Sequence, residues 1–303
     1  MQPAASVTSI TRPVVVVGSI NADLLCTLDA VPAPGETVLA TDLHRAGGGK
    51  GANQAVAVAR FGGRVRMVGR VGDDDAGAGL IRDLAEAGVD TTDVVRLAGV
   101  PSGTAIVMIT PDGQNHIVVV SGANAALTPG DIRAHRDRLA EAALVVTQLE
   151  IPLETVAAVI DVCADAGVPT LLNLAPAAAL PANVLERVDT LVVNEHEARF
   201  LIGTDVEPGD APGAAVRRLR AKGPRRVALT LGAAGAAWCE DERVGHVPAP
   251  AVAVVDTTGA GDAFVGALAA SMADGDAFEA AVHRAVLAGS EATTVAGARL
   301  PAG

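Results

Sequence analysis

Val14, Val15, Val16 and Val17 form a β-branched run that stops at Gly18. A strand apolar at every position, rather than at every second one, belongs in a sheet covered on both faces. That requirement points to a layered α/β architecture, because helices must flank the sheet on either side. The rest of the chain fits. Further strands are predicted over Arg64–Val71, Ala143–Gln148, Pro169–Asn173, Thr190–Val193 and Arg226–Leu231. Helical patterns run from Ala52 through Val58, over Leu80–Ala85, and over Ile132–Ala142, Leu153–Ala166 and Phe278–Thr294. Strand and helix alternate, so the main sheet is expected to be mostly parallel.

Composition narrows the function. The chain has 303 residues, of which 50% are hydrophobic, enough for one large or two medium cores. Aromatics are 2%, with no Tyr, so Ala, Val and Leu must build the core. Aromatic stacking platforms, on which single-stranded nucleic-acid binding relies, are not available. A net charge of −12 disfavours duplex nucleic acid and anionic membrane. A small anion is still allowed, since a local backbone seat can hold it. Cys26, Cys163 and Cys239 are far apart and form no C-x-x-C pair, which argues against zinc and fits a reducing cytoplasm. No apolar run reaches the roughly 18 residues of a membrane span. Residues 1–13 read as a flexible tail.

One stretch carries chemistry. Val252–Val255 reads as the end of an extended run. Asp256-Thr257-Thr258-Gly259-Ala260-Gly261-Asp262 follows, and then Phe264, Leu268 and Met272 recur on one helical ridge. A strand, a glycine turn and a helix start make a seat for an anion, because the first N–H groups of a helix lack partners and carry partial positive charge. Asp262 is then a carboxylate beside that seat, suited to take a proton from a hydroxyl. The plain alternative is that Asp262 only caps the helix.

Other polar residues collect just past strand ends, where open α/β sheets bind ligands. Asn21 and Asp23 follow the first strand and lie two apart, so both point to one side and can grip neighbouring hydroxyls. Glu150, Asn173, Asn194 and Glu197 follow later strands. Gly47–Ala55 is a glycine-rich loop opening a helix. It is not a Walker A loop, since Gly51 follows Lys50. His196-Glu197 does not begin a zinc-protease motif, since Phe200 stands where the second His belongs. A Rossmann dehydrogenase is excluded because Gly18-Ser19-Ile20-Asn21 lacks G-x-G-x-x-G. Asp73, Asp74 and Asp75 suit helix capping rather than metal. Arg217–Arg226 reads as a solvated basic helix face and turn. Thr37–Leu43 is expected to be a short strand. Thr104–Thr110 and His116–Ser121, joined through Pro111-Asp112-Gly113, form a hairpin. Together with 22–47 it is expected to build one small antiparallel sheet.

Two strings, Gly48-Gly49-Lys50-Gly51-Ala52-Asn53-Gln54-Ala55 and Asp256–Phe264, resemble the N- and C-terminal motifs of the ribokinase family of sugar kinases. The resemblance covers about residues 14–301. It implies a ribokinase-like three-layer sandwich, with a single α/β kinase domain over 14–303 and a β-sheet lid from about 22–47 and 100–123. It implies an ATP-dependent sugar kinase, with D-ribose to D-ribose 5-phosphate favoured. Another sugar (deoxyribose, fructose) or a nucleoside is the alternative, and a non-catalytic sugar-binding regulator is a third reading.

By the same resemblance Asp262 is the base, and the backbone of Gly259, Ala260 and Gly261 forms the anion hole. Asn21, Asp23, Gly49, Lys50, Asn53, Glu150 and Asp262 contact the sugar. Asn194 and Glu197 organise Mg²⁺ and phosphate. Thr230, Gly232, Gly235 and Gly261 line the nucleotide site. A K⁺ ion is held by Asp256, Thr258 and the carbonyls of Ala292, Val295 and Gly297, with Pro301 at the last ligand position. Lids of two subunits pair into a homodimer.

Overall fold

The two faces of the first strand set up the layers. In the computed structural model, which describes residues 12–111, 115–203, 212–295 and 297–299, strand β1 (Val14–Val17) is fully buried. Val15 and Val17 enter one apolar cluster, and Val14 and Val16 enter a second on the opposite face. The other strands are β2 (Asn21–Thr27), β3 (Asp42–Gly48), β4 (Val65–Gly72), β5 (Asp90–Leu97), β6 (Gly103–Ile109), β7 (Asn115–Val120), β8 (Leu144–Thr147), β9 (Thr170–Asn173), β10 (Thr190–Asn194), β11 (Arg226–Thr230), β12 (Ala236–Glu240) and β13 (Arg243–Val247). The helices are α1 (Lys50–Arg60), α2 (Asp75–Glu86), α3 (Pro129–Ala134), α4 (Arg136–Ala140), α5 (Leu153–Ala166), α6 (Ala182–Leu185), α7 (Glu195–Ile202), α8 (Pro212–Arg220), α9 (Ala260–Ala273) and α10 (Phe278–Ala292). Helices α3 to α8 contribute to the first cluster, and α1, α2, α9 and α10 to the second.

Nine strands form the main sheet in the order β13-β12-β11-β10-β9-β8-β1-β4-β5. It is parallel from β11 to β5, and β12 and β13 close one end antiparallel. From β1 the chain builds outward to β4 and β5, and from β8 it builds the other way. The β1–β8 junction is therefore the topological switch point, where such sheets open a crevice. A second sheet has the order β3-β2-β6-β7. Its two hairpins are antiparallel, but they join along a parallel β2–β6 pair, so this sheet is mixed rather than wholly antiparallel. Among the described residues no helix is long and apolar enough to cross a membrane.

Several expectations change. The strand expected over Thr37–Leu43 begins at Asp42 and runs through the glycines to Gly48, because register with β2 fixes it. Val252–Val255 forms no strand. Val254 and Val255 are 62% and 64% exposed, and with no sheet neighbour their β-branched character has no effect. Ile132–Ala142 divides at His135 into α3 and α4. The extended backbone expected at Asn21 and Asp23 is strand β2. The tail is shorter than expected: Arg12 donates to the carbonyls of Ala140 and Glu141, and Pro13 accepts from the Ala143 N–H. Residues 1–11, with Asp112 and Gly113 of the expected turn, lie outside the described residues. Capping by the aspartates holds: Asp74 accepts from the Gly77 N–H at 2.7 Å, and Asp73 pairs with Arg96.

Candidate active site

Buried polar side chains gather at the switch point. The loops after β1 and β8 meet there: Ser19 Oγ donates to Glu150 Oε2 at 2.6 Å, and the Lys50 N–H donates to the same oxygen at 3.0 Å. Gly49, the N-cap of α1, has no side chain to offer, so Glu150 supplies the carboxylate that the helix terminus favours. Through Oε2 Glu150 serves as a remote cap for α1.

Asn21 and Asp23 sit on one face of β2. Asn21 Oδ1 accepts from Asn124 Nδ2 at 2.7 Å, and Asn124 also bridges the Ile20 N–H and carbonyl. Asp23 differs: its Oδ1 is buried and has no partner. Burial, reinforced by the charge of Glu150, pushes its pKa up to about 6. An unpaired buried acceptor costs on the order of 1–3 kcal/mol, so this oxygen favours any donor brought to it. Gly48 makes the approach possible, since a Cβ there would stand 2.0 Å from Asp23 Oδ2.

Asp262 lies 7% exposed in the first turn of α9. Its Oδ2 accepts from Asn53 Nδ2 at 3.1 Å and its Oδ1 from Gln54 Nε2 at 2.9 Å. Gln54 is oriented in turn by Gln148, which donates to it at 2.6 Å, and by Asn173. The first α9 bond runs from the Ala263 N–H to the Gly259 carbonyl, and the Ala260 N–H turns back to Thr257. The N–H groups of Gly261 and Asp262 thus lead the ladder at the polarised helix end. A Cβ at Gly261 would meet nothing within 4 Å, so no other segment packs against α9 at this residue. The charge of Asp262 raises the pKa of Lys50, with Glu150 and Glu197 adding to it, which places the ammonium among three carboxylates.

Asn194 and Glu197 close on each other. The Asn194 side chain accepts from the Glu197 N–H, and Glu197 accepts from both the backbone and the side-chain amide of Asn194. This capping box is the plain alternative to a ligand role, and both Glu197 oxygens take part in it. Burial raises the Glu197 pKa against those bonds, while Lys50 and Asp262 act on it from the site. Among the described residues no cluster of three His, Cys, Asp or Glu could hold a metal. The pair fits a divalent ion that keeps its own waters, not one stripped to protein ligands.

On the far side Thr230 ends β11, and Gly232–Ala234 makes a 3₁₀ turn closed by Gly235. The basic run does not face solvent alone: Arg225 and Arg226 pair with Asp189, Arg226 also with Glu240, and Arg220 with Asp241. Behind α9, Asp256 accepts from the N–H groups of Thr258 and Gly297 at 2.8 and 2.9 Å. Burial works to raise its pKa, but hydrogen bonding from the Thr258 side chain, with the Gly297 and Thr258 N–H groups, outweighs burial and keeps the carboxyl below its usual range. The Thr293 carbonyl accepts from the Val255 and Asp256 N–H groups. Asp256 thus ties the turn before α9 to the segment after α10, where Val295 and Gly297 lie. Pro301 lies outside the described residues.

Asn124, Gln54 and Arg299 are site residues that motif reading did not assign. Gln54 stood inside the Gly48–Ala55 string and could have been found there. Asn124 and Arg299 carried no local signal.

Comparison with known proteins identifies the family. A model of the pfkB family carbohydrate kinases matches residues 11–302. The chain is 39% identical over 275 residues to a deoxyribokinase of Salmonella typhimurium, covering 90% of each. It is 38% identical over 279 residues to a ribokinase of Bacillus subtilis, covering 92% of each. A ribokinase of Arabidopsis thaliana solved with ribose and ATP superposes with a TM-score of 0.87 at 35% identity, covering 95% of this chain and 94% of that one.

Proposed function

The chain belongs to the pfkB family of carbohydrate kinases, and from that premise we propose that it transfers the γ-phosphoryl group of ATP to the primary hydroxyl of D-ribose. The observation that carries the reading is the carboxylate of Asp262, held by two amide donors beside the leading amides of Gly261 and Asp262. Asp262 accepts the proton of the hydroxyl as that oxygen attacks in line. The α9 N-terminus stabilises the charge that spreads over the phosphoryl oxygens, and Lys50 adds its own positive charge beside it. Asn194 and Glu197 would hold the hydrated Mg²⁺ that accompanies ATP, which supplies charge neutralisation. Thr230, Gly232 and Gly235 border the nucleotide. Asp256, Thr258, Ala292, Val295 and Gly297 would hold K⁺ and so brace the turn that carries the anion seat.

Asp23 supports ribose. A carboxylate whose buried Oδ1 lacks a donor suits a sugar hydroxyl, and ribose in its furanose form presents a 2,3-diol that furanose deoxyribose lacks. Deoxyribose remains the second reading, favoured by the likeness to a deoxyribokinase. The β2-β3-β6-β7 sheet is the lid in this reading. Its face turned away from Asp23 exposes Leu43, Ile106, Val118 and Val120, an apolar stripe that a second copy would cover in a homodimer; a monomer in sedimentation would sink this part.

The test is ADP release across pentoses, hexoses and nucleosides, with and without K⁺, from pH 5 to 8. Ribose should give the highest kcat/KM; a preference for deoxyribose would overturn the ribose assignment, and no turnover with any sugar would overturn the kinase reading. The pH series has a definite sign. The Asp23 pKa is raised, so its ionisation disfavours the unliganded fold as pH rises through about 6. Hydroxyl donors satisfy the carboxylate, so the KM for ribose should fall as pH rises through about 6. A flat KM would remove Asp23 from the sugar site.

A further inference from the structure

Arg299 reaches back 246 residues to the start of α1, where its Nε donates to Asn53 Oδ1 at 2.9 Å. Asn53 in turn donates through Nδ2 to Asp262. The order of this relay is forced by chemistry. A guanidinium can only donate and a carboxylate can only accept, so the amide between them has one permitted orientation. The same guanidinium lies along the end of β3: Nη2 is 3.5 Å from the Gly48 carbonyl, and a Cβ on Gly47 would stand 2.7 Å from Nη1. Gly48 is also the residue against which Asp23 packs. Just upstream, the Gly297 N–H is tied to Asp256, and Gly259 packs so tightly on Ala298 that a Cβ would stand 2.1 Å from the Ala298 carbonyl oxygen. Arg299 is therefore fixed by the turn that forms the anion seat, and it holds a residue on the acceptor side.

We infer that Arg299 is a positioning residue for phosphoryl transfer, which locks the Asn53 amide toward Asp262 and couples the Asp256–Gly259 turn to the sugar side of the site. The inference rests on Asp262 being the base. It assigns Arg299 no contact with a reacting atom. Its charge also bears on Asp23, which is faced by Glu150 from the loop after β8, by Asp262 from α9 and by Arg299 itself. The two carboxylates hinder ionisation of Asp23 and the guanidinium favours it. Arg299 is in turn faced by Asp83 from α2, Asp23 and Asp262.

The experiment compares full-length Arg299→Lys, Arg299→Gln and Arg299→Met with the parent enzyme, using its best sugar. Arg299→Met should lower kcat by about 10- to 100-fold and raise the sugar KM, with the ATP KM unchanged. Its acid limb in kcat/KM for sugar should move upward by about 0.5–1 unit, because a positive charge beside Asp23 is lost. Arg299→Lys keeps the charge, so its acid limb should stay in place and part of kcat should return. Arg299→Gln keeps a donor without charge, and should recover kcat but not the limb; it also stands in if the Met variant does not fold. Unchanged kinetics in these variants overturn the inference while leaving the kinase reading intact. So does a uniform loss of activity with an unmoved acid limb and no rescue by Lys. Failure of the parent enzyme to phosphorylate any sugar overturns the reading itself.

Discussion

Asp262→Asn is expected to lower kcat by about 10² to 10⁴ while ribose still binds. The substitution keeps size and shape but removes the atom that accepts the proton. It also disturbs the surroundings in a definite way. Both oxygens of Asp262 accept from amides, of Asn53 and of Gln54. A new NH₂ group would face one of those donors, so one pair must separate or turn, at on the order of 1–3 kcal/mol. That cost falls on local order, not on Asn21 and Asp23 of β2, the residues proposed to hold the sugar. Steady-state kinetics should therefore show a collapse of kcat, and titration calorimetry should show ribose affinity within a few-fold of the parent. Near-native turnover would remove Asp262 as the base; loss of both turnover and sugar binding would make it a binding group instead.

Gly261→Ala should separate function from stability most sharply. The backbone at Gly261 is ordinary helix, and a Cβ there meets no atom within 4 Å. Replacing glycine inside a helix stabilises it by roughly 0.5–1 kcal/mol where the site tolerates a side chain. Yet the added methyl would enter the open space beside the turn proposed to seat the phosphoryl group. Donors stabilise a transferring group only at about 2.7–3.1 Å, and losing one costs about 10²–10³ in rate. The expected result is a thermal midpoint unchanged or raised, with kcat/KM for ATP down by about 10²–10³. Full activity in this variant would mean that no phosphoryl group passes over Gly261. Gly259, two residues away, is glycine for a different reason: its φ is +77°, and the Ala298 carbonyl occupies the space where a side chain would go.

Both predictions concern residues that motif reading picked out, and much of the fold was legible in the same way. The layered arrangement was readable from β1 because a run of four valines has one physical solution, burial on both faces. The glycine turn ahead of α9 was readable because turn chemistry is local. Sheet edges were not. Strand β5, D-T-T-D-V-V-R-L, is too polar to announce itself and exists through pairing with β4. The Val252–Val255 run had the composition of a strand and no partner. A strand is specified by what lies beside it, so propensity alone misjudges in both directions.

What the chain's own order of residues determined is the class of fold and the place of its chemistry: a covered parallel sheet, polar residues beyond its strand ends, and an acid at the mouth of a helix. Those features depend on neighbours within a few positions, where spacing and side-chain type are sufficient. Tertiary structure alone decided how the acid is held. Gln54 meets Asp262 across 208 residues, Asn124 meets Ile20 across 104, and Arg299 meets Asn53 across 246. No local pattern encodes such pairs, because a hydrogen bond forms between whichever donor and acceptor the packed layers leave facing each other.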